Sequence, residues 1–376
     1  MPEIMKIKCL IFAMLIAFFV SAVDLSWSAI NTKEIDAVIK KKALDNADLF
    51  TIDNFLGEAT REIIRSKDWT SIGMVRAEIL RRRGTQRQYV QQFSESSYKY
   101  ILSGMEEASR FPEERRVKVF VNLLILVDGL EDLRLADLAI TRLKDKNTII
   151  RYWAAHCITN DAIIKQLNTG GAENVRVARL LIDRLKAVID SSGPEAIALI
   201  ARFAADINIP QGEELLLQIT DMRIKKYTTW AVEYELWDGT LLKLLDSKLS
   251  SASGSSRKVA VAARFGLLYS FAIQRYVKGS EILSEAQKQQ LASVLVETED
   301  KCIGRILEKP QSIIKKAVEQ NDYRRLLEEH NRLLGSSSAA GELPTKLNFD
   351  YGTTTDGRKR TAPPALPNYP KAPASK

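Results

Sequence analysis

One stretch of the sequence, residues 133–185, restricts most strongly what this chain can fold into. Within it, residues 138–158 read as an amphipathic helix, a polar Asp-Lys-Asn turn at 145–147, and a second helix that opens with Ile-Ile-Arg at 149–151. A second version of the pattern follows over residues 173–182. A helical hairpin of this kind leaves one apolar face uncovered, and stacking on the next hairpin buries that face. The stretch therefore predicts an array of stacked helical hairpins.

Helical patterning continues over most of the remaining chain, beginning with a predicted capping box at residues 31–34. Short alternating runs bounded by turn dipeptides, which signal strands, are missing. We therefore predict an all-α fold without a sheet, with an array at 30–250, a Ser-rich linker at 251–256 and a helical bundle at 257–334 that continues the array. The predicted helices after the first cover residues 53–65, 71–83, 86–107, 112–127, 138–144, 149–158, 174–189, 194–207, 210–224, 227–249, 257–277, 284–308, 310–319 and 322–334.

Two segments of the stretch resemble the helical repeats of the HEAT and armadillo families. The shared pattern is a turn that carries Asp or Asn, followed by a helix that opens with an apolar residue and Arg. The matching pairs are Asn147 with Arg151 and Asn174 with Arg176, and the resemblance implies that these residues stabilise the turns and the stacking of neighbouring repeats. The two arginines are closer in sequence than the roughly 40-residue period of such repeats. The implied fold is therefore an irregular, HEAT- or armadillo-like α-solenoid.

The N-terminus has the order of a secretory signal peptide, with Lys6 and Lys8 ahead of a short apolar run and small residues after it. Cleavage is expected after Ala22, which makes residues 1–22 the signal peptide, with Ser28 as the alternative position. The apolar run is short for a membrane span of about 20 residues, so an uncleaved membrane anchor is the second interpretation. We expect an exported bacterial protein, periplasmic or secreted, that contacts a membrane only through this segment if it stays uncleaved.

From Gly335 the composition changes to a segment rich in Ser, Pro, Thr and Lys that continues to residue 376. Such a segment has too little apolar area to offset the entropy lost on ordering it. Residues 335–376 are therefore predicted to form a disordered, Pro-rich basic tail. The tail is either a plain terminus or a tether that engages a partner.

The chain carries a formal net charge of +8, which suits an anionic partner such as an acidic envelope polymer. Acidic residues are interleaved with the basic ones, so a solvated surface without a dedicated ligand is the competing explanation. The predicted anion-binding patch consists of Arg76, Arg81, Arg82, Arg83 and Arg87. Its Arg triplet also suits the last turn of a helix, where cations interact favourably with the helix dipole. Nucleic acid is not expected as the partner of an exported protein.

Few residue types that carry out catalysis or bind metals are present. His156 is expected on the flank of a helix, and His330 is expected to be solvated on a charged helix. After removal of the signal peptide, Cys157 and Cys302 remain, either as two buried thiols or as one bridge. Cys/His metal motifs, a glycine-rich phosphate loop and a nucleophile elbow are missing from the sequence. No cofactor and no metal are therefore predicted.

The densest group of aromatic and acidic residues lies at 230–238. The carboxylates of Glu233, Glu235 and Asp238 stand among two Trp and one Tyr, and paired carboxylates beside aromatic rings suit a sugar substrate. The competing explanation is a pair of helices packed by aromatic residues and joined by a Trp-Asp-Gly-Thr turn at 237–240. This group carries an alternative function, a carbohydrate-active enzyme on a closed ring of helical hairpins (an α/α toroid) with these carboxylates as the catalytic residues.

The favoured interpretation is an exported, non-catalytic helical-repeat scaffold that binds a protein or an anionic cell-envelope polymer. It depends on the export signal, the helical patterning and the scarcity of catalytic residue types. The identity of the partner and the oligomeric state are left open by the sequence.

Overall fold

The computed structural model describes residues 30–251, 255–354 and 357–369. Regular secondary structure in these ranges is helical, and their only β pairings are two isolated antiparallel bridges, Gly335 with Ala340 and Thr353 with Lys359. The all-α fold predicted from the sequence is therefore confirmed. The predicted signal peptide, with both cleavage positions, lies outside the described residues. The chain divides into two compact units, Met1–Gly104 and Met105–Lys376.

In the first unit, acidic side chains cap two of the helices. Asp45 caps the second helix and forms a capping box with Asp48, and Asp68 caps the third helix. The capping box predicted at residues 31–34 does not form, since the N-cap is Thr32 and it makes no side-chain cap bond. The helices are α1 (Lys33–Val38), α2 (Asn46–Arg65), α3 (Trp69–Arg81) and α4 (Arg87–Ala108), the last of which runs past Gly104.

The second unit contains the remaining described helices. Pro194 and Pro210 each stand at the first position of their helix, where the missing N–H would have no partner in any case. Short 3-10 segments at Leu133–Leu135 and Ile189–Ser191 and a π segment at Glu299–Ile303 adjoin the α-helices. The α-helices are α5 (Glu113–Leu130), α6 (Ala136–Ile140), α7 (Thr148–Thr159), α8 (Asp161–Thr169), α9 (Ala172–Lys186), α10 (Pro194–Asp206), α11 (Pro210–Thr228), α12 (Leu236–Ser251), α13 (Ser255–Lys278), α14 (Glu285–Thr298), α15 (Gly304–Ile306), α16 (Ile313–Glu319), α17 (Tyr323–Leu334) and α18 (Glu342–Leu347).

Helices of the second unit pack largely in chain order. Helices α5, α7, α10, α12 and α14 contact one another in succession, and α9, α11, α13 and α17 form a second succession. The pairs α10–α11 and α12–α13 join the two. Phe120, Leu123 and Leu124 of α5 are fully buried, as expected for a helix that is apolar on most sides. Neighbouring helices thus cover each other's apolar faces, and the irregular solenoid arrangement stays a prediction.

The polar turn predicted at residues 145–147 is present between α6 and α7. Asn147 is the N-cap of α7, and its Oδ1 accepts a main-chain N–H two residues on at 2.9 Å. The Arg151 Nη1 donates to the carbonyl of Asp145 at 2.8 Å. Arg116 of α5 donates to both carboxylate oxygens of Asp145, at 2.8 and 3.0 Å. These contacts join the turn to α5 and fit the role that the family resemblance implies for Asn147 and Arg151.

The second copy of the pattern is built differently. Helix α9 begins at Ala172, so Asn174 lies in its first turn rather than ahead of it, and the Asn174 side chain donates to the carbonyl of Gln166 at 2.8 Å. Arg176 is exposed and pairs with Glu173, one turn earlier in the same helix, at 2.5 Å. Water screens the charges of an exposed pair of this kind, so it contributes little to stability. Asn174 therefore helps to join α8 to α9, but Arg176 does not hold a turn as the resemblance implied.

The interruption predicted at residues 237–240 lies earlier in the chain, at 229–235, and Gly239 stands inside α12. Trp230 and Tyr234 adopt left-handed backbone conformations, with φ of 58° and 57°. Their unusual backbone is held by side chains of other helices, as described below. The predicted linker at 251–256 is shorter than expected, because α12 ends at Ser251 and α13 begins at Ser255, and residues 252–254 lie outside the described part of the chain.

The segment after Gly335 is ordered wherever the structure describes it, so the prediction of a disordered tail is wrong for these residues. It contains α18, and its Leu343 and Leu366 are at most 1% exposed. Phe349 packs against α13 at Gly266, where a Cβ atom would lie 2.8 Å from the Phe349 ring. The few apolar side chains of the segment reach sites on other helices, and that burial offsets the ordering entropy. Residues 370–376 lie outside the described ranges.

Candidate functional site

The structure places two of the three acidic residues of the aromatic group in buried ion pairs. Asp238 is fully buried and accepts hydrogen bonds from Arg223 Nε at 2.6 Å and from the Tyr227 hydroxyl at 2.7 Å. Glu235 is 1% exposed and accepts from Arg275 Nη2 at 3.1 Å. Each buried carboxylate is thus balanced by a guanidinium group.

This arrangement does not suit catalysis. A catalytic carboxylate must reach its substrate, whereas Glu235 and Asp238 are sealed from solvent and Glu233 is exposed without them. The cavity beside Tyr234 and Trp237 is about 50 Å³, which is space for little more than one water molecule. The alternative prediction that these three carboxylates form a sugar-cleaving centre is therefore not supported, because Glu235 and Asp238 are paired with the arginines that hold the loop at 229–235.

The two arginines hold this loop by its main chain. Arg275 donates to the carbonyl of Val232 at 3.2 Å, and Arg223 donates to the carbonyl of Glu233 at 2.9 Å. Burial alone would lower the pKa of Arg223, but the hydrogen bond and charge of its carboxylate partner raise that pKa above the ordinary value. The Arg275 guanidinium also lies 5.3 Å from the centroid of the Trp230 ring, within the range of a cation–π contact. The loop therefore presents Trp230 in a defined orientation.

A groove on the second unit binds part of the chain's own C-terminal region. We call the bound residues 363–369 the tail segment, and the side chains of Trp230, Gln274 and Lys278 that bind it the tail groove. Gln274 Nε2 donates to the carbonyl of Pro364 at 3.0 Å, and Gln274 Oε1 accepts the N–H of Leu366 at 2.6 Å. Lys278 Nζ donates to the carbonyl of Leu366. Gln274 and Lys278 are four residues apart, so they lie on one face of α13.

The other end of the tail segment lies on Trp230. The indole Nε1–H donates to the carbonyl of Pro367 at 2.8 Å. The Tyr369 ring packs edge-to-face on the indole, with 5.5 Å between centroids, a favoured aromatic geometry. Leu366 is 1% exposed, whereas Pro367 is exposed. The groove therefore recognises main-chain carbonyls and one deeply buried leucine.

A close approach of two backbones positions the tail segment at its start. Gly335 has φ of 108°, and a Cβ atom added to it would lie 2.0 Å from the carbonyl oxygen of Thr361. The Thr361 hydroxyl donates to the carbonyl of Ser336 at 2.7 Å. Both the conformation and the space at Gly335 require the absence of a side chain.

A buried polar network continues from the tail groove into the core. Ser270, one turn before Gln274 on α13, accepts from Gln274 Nε2 at 2.9 Å, and its Oγ lies 2.8 Å from His330 Nε2. His330 is 6% exposed, so the prediction that it is solvated is wrong. His330 lies on the same buried face of α17 as Leu326 and Leu333. The Nδ1 of His330 lies 3.2 Å from Asn331 Oδ1, an amide oxygen that only accepts, so in the neutral ring Nδ1 carries the proton and Nε2 accepts from the Ser270 hydroxyl.

Burial lowers the pKa of His330 below its ordinary value. The folded chain therefore binds this proton less readily than the unfolded chain. The contribution of His330 to stability is present above the unfolded pKa of about 6.5 and is lost as the pH falls below it.

Beside the network runs a cleft of about 370 Å³, whose walls include His330, Gln274, Leu327, Ser336 and Pro363.

His156, unlike His330, lies beside a carboxylate that favours its protonated form. Its Nδ1 lies 2.9 Å from Asp128 Oδ1, which also accepts from Asn160 Nδ2 at 2.9 Å. The hydrogen bond and charge of Asp128 raise the pKa of the half-buried His156. Its contribution to stability is therefore present below about pH 6.5 and is lost as the pH rises through the raised pKa. The adjacent Cys157 is 2% exposed and its thiol donates to the carbonyl of Leu124 at 3.1 Å, so it does not face His156 as a nucleophile.

The predicted basic patch is broken up within the first unit. Arg82 is 6% exposed and binds Asp36 through two hydrogen bonds, at 2.8 and 3.0 Å, and also Glu78. Arg81 pairs with Glu78 at 3.1 Å. Arg76 is half-buried, and burial lowers its pKa, while Arg87 is exposed. Because the buried Arg82 guanidinium is paired with the half-exposed carboxylate of Asp36, the patch does not act as a cluster of five available cations.

The cysteines and the metal-binding residue types form no site in the described residues. Cys157 and Cys302 are both buried and unbridged. Within the described ranges, no group of three or more His, Cys, Asp or Glu residues is placed to hold a metal ion. None of the helices there is both long enough and apolar enough to span a membrane. Comparisons with protein-family models, with curated proteins and with solved structures find no match to the chain.

The residues of the tail groove were missed at the sequence level. The usable signal was a polar stripe, Ser270, Gln274 and Lys278, at four-residue spacing along a helix that is apolar from Phe265 to Tyr276 apart from Arg275 and the stripe itself. Polar side chains buried at helical spacing in an apolar helix need partners. Those partners are main-chain groups about ninety residues later in the chain, which no local pattern identifies.

Proposed function

We propose that this chain is an exported helical scaffold that binds protein and has no catalytic activity of its own. One observation carries the proposal: the second unit binds a peptide segment in a groove formed by α13 and the loop at 229–235. Four hydrogen bonds join side chains of the groove to the main chain of that segment. Main-chain hydrogen bonds combined with a side-chain pocket are the usual basis of peptide recognition.

Between the two partner classes predicted from the sequence, these contacts favour protein over an anionic polymer. The groove buries a leucine and offers an indole N–H, an amide and one lysine, whereas a polyanion requires several accessible cations. The carboxylate partners of Arg81 and Arg82 weaken the other candidate surface for a polyanion. The burial of Glu235 and Asp238 argues against the carbohydrate-active alternative. Export remains a prediction from the N-terminal sequence.

The proposal is tested by site-specific photo-crosslinking of the full chain in the cell envelope. A photoreactive side chain at Leu327, which is 40% exposed and lies in the cleft beside the tail segment, should give a discrete protein adduct. The matched control is the same group at Leu180 of α9, which is 43% exposed. An adduct at Leu327 but not at Leu180 supports protein binding. No adduct at either position, or the same adduct at both, would overturn it.

A second measurement addresses the absence of catalysis. The chain is incubated with a panel of envelope polysaccharides, and the release of reducing ends is followed. We expect no release above the blank. Release that is lost on substitution of Glu233 would contradict the proposal and restore the enzymatic alternative.

A further inference from the structure

We infer that the tail groove is a receptor for a leucine-containing, proline-rich segment of a partner protein, and that the tail segment occupies it in cis as a displaceable mimic. This inference rests on the proposed function as a protein-binding scaffold. It adds the class of ligand and the means by which access to the groove is controlled.

The hydrogen-bonding groups of the groove match a proline-rich ligand. Trp230, Lys278 and the Gln274 amide donate to three carbonyl groups of the tail segment, those of residues 367, 366 and 364, and Gln274 Oε1 accepts one N–H. An ordinary peptide presents an N–H at every residue, and each buried N–H needs an acceptor. Proline has none, and its ring restricts φ, which lowers the entropy cost of binding. A ligand with few N–H groups therefore satisfies this groove.

The side chains of the tail segment define the rest of the ligand. Its sequence from 364 to 369 is Pro-Ala-Leu-Pro-Asn-Tyr. Leu366 is buried to 1% exposure, while Ala365, Pro367 and Asn368 are exposed. Tyr369 packs on Trp230 and is 51% exposed. The recognised pattern is therefore Pro-x-Leu-Pro-x-Tyr, with leucine as the anchor and the aromatic residue as a weaker contact.

The contacts of the tail segment are separate from those that hold the chain upstream of it. The upstream chain is held separately, by Phe349 against Gly266 and by the Tyr351 hydroxyl, which donates to the carbonyl of Leu334 at 3.0 Å. Within the tail segment itself, the buried apolar side chains are Pro363 and Leu366. A cis segment on a short tether has an effective concentration on the order of 1 mM, so an external ligand must compete with it.

A partner protein fits this groove better than a second copy of the chain. Exchange of tail segments between two copies would replace each contact by an identical one. It would also cost the entropy of association. A different protein that carries the same motif with additional contacts can supply a net gain, and the groove is then available only to ligands that outcompete the tail segment.

The test uses the full chain and a fluorescein-labelled peptide with the sequence of residues 361–369, Thr-Ala-Pro-Pro-Ala-Leu-Pro-Asn-Tyr. Leu366→Asp places a charge in the buried anchor position and should release the tail segment. Peptide binding, measured by fluorescence anisotropy, should then be at least ~10-fold tighter than to the unsubstituted chain, because the cis competitor is removed. Asn368→Asp adds the same charge at an exposed position of the segment and should leave peptide binding at the low level of the unsubstituted chain.

Groove variants show whether the peptide occupies the inferred site. In the Leu366→Asp chain, Lys278→Ala should weaken peptide binding severalfold. Lys258→Ala, at an exposed position near the opposite end of α13, should have no effect. A labelled peptide with Asp in place of its Leu should not bind. Far-UV circular dichroism shows whether each variant keeps its helices. If Leu366→Asp does not fold, hydrogen–deuterium exchange of the Leu366 N–H is measured in the unsubstituted chain with and without excess peptide. Displacement of the tail segment by the peptide should accelerate this exchange.

Several results would overturn the inference. These are no peptide binding by a folded Leu366→Asp chain, equal binding of the peptide with Asp in place of Leu, or no acceleration of exchange at Leu366. A concentration-dependent dimer of the unsubstituted chain that Leu366→Asp abolishes would assign the groove to a second copy instead. Peptide binding combined with a failed crosslink at Leu327 would support the groove chemistry but contradict the scaffold function, so the two failures are distinguishable.

Discussion

Replacement of Asp238 by Asn tests whether the buried ion pair with Arg223 stabilises the second unit. Asp238 has no exposed surface and Arg223 is 3% exposed. Two hydrogen bonds join them, at 2.6 and 2.9 Å, and the Tyr227 hydroxyl donates a third to Asp238. Asn keeps the shape of Asp but not its charge, so the guanidinium is left buried without a carboxylate. Breaking a buried pair in this way costs about 3–5 kcal/mol of unfolding free energy.

The matched control is Asp221→Asn. Asp221 also forms two hydrogen bonds with an arginine, Arg264, at 3.1 and 3.0 Å. Both side chains of this pair are substantially exposed, at 52% for Asp221 and 33% for Arg264. Water screens the charges of such a pair, so its loss should cost about 0–1 kcal/mol. The two variants remove the same chemical group and differ in burial.

Urea unfolding followed by far-UV circular dichroism measures the difference. With an m-value of about 3 kcal/mol per M, Asp238→Asn should lower the midpoint of the transition of the second unit by roughly 1–2 M. For Asp221→Asn the expected change is at most about 0.3 M. Equal shifts for the two variants, or no shift for Asp238→Asn, would refute the assignment of the pair as a stabilising element of the loop at 229–235.

Three further predictions follow from burial and backbone geometry. In an NMR titration, the pKa of His156 should lie above about 6.5 and that of His330 below it, and the reverse order would contradict the assigned environments. Gly335→Ala should lower the unfolding free energy by about 1–3 kcal/mol. Gly352→Ala should lower it less, because φ is also positive there but an added Cβ meets nothing within 4 Å. Equal losses for the two variants would show that the close approach of Thr361 to Gly335 is not the cause. Burial raises the pKa of the Cys157 thiol well above its ordinary value, so iodoacetamide should alkylate it only after unfolding, as read by mass spectrometry, and rapid labelling of the native chain would contradict this.

The sequence by itself determined the helical class and most of the helices. Apolar residues at helical spacing are a local property, and so are the starts at Pro194 and Pro210 and the turn before α7. Of the two alternatives for Cys157 and Cys302, two buried thiols or one bridge, the structure shows two buried thiols. These features depend on residues within one or two helical turns of each other, so they can be predicted from the sequence alone.

Tertiary structure alone decided which polar residues lie together. Asp238 and Glu235 were candidates for catalysis on sequence alone, but the structure pairs them with arginines of α11 and α13. The tail was expected to be disordered because it contains little apolar surface of its own, yet the site for Leu366 is formed by other parts of the chain. Contacts between residues far apart in sequence leave no periodic trace, and the free energy that orders such a segment belongs to the pair of surfaces rather than to either one.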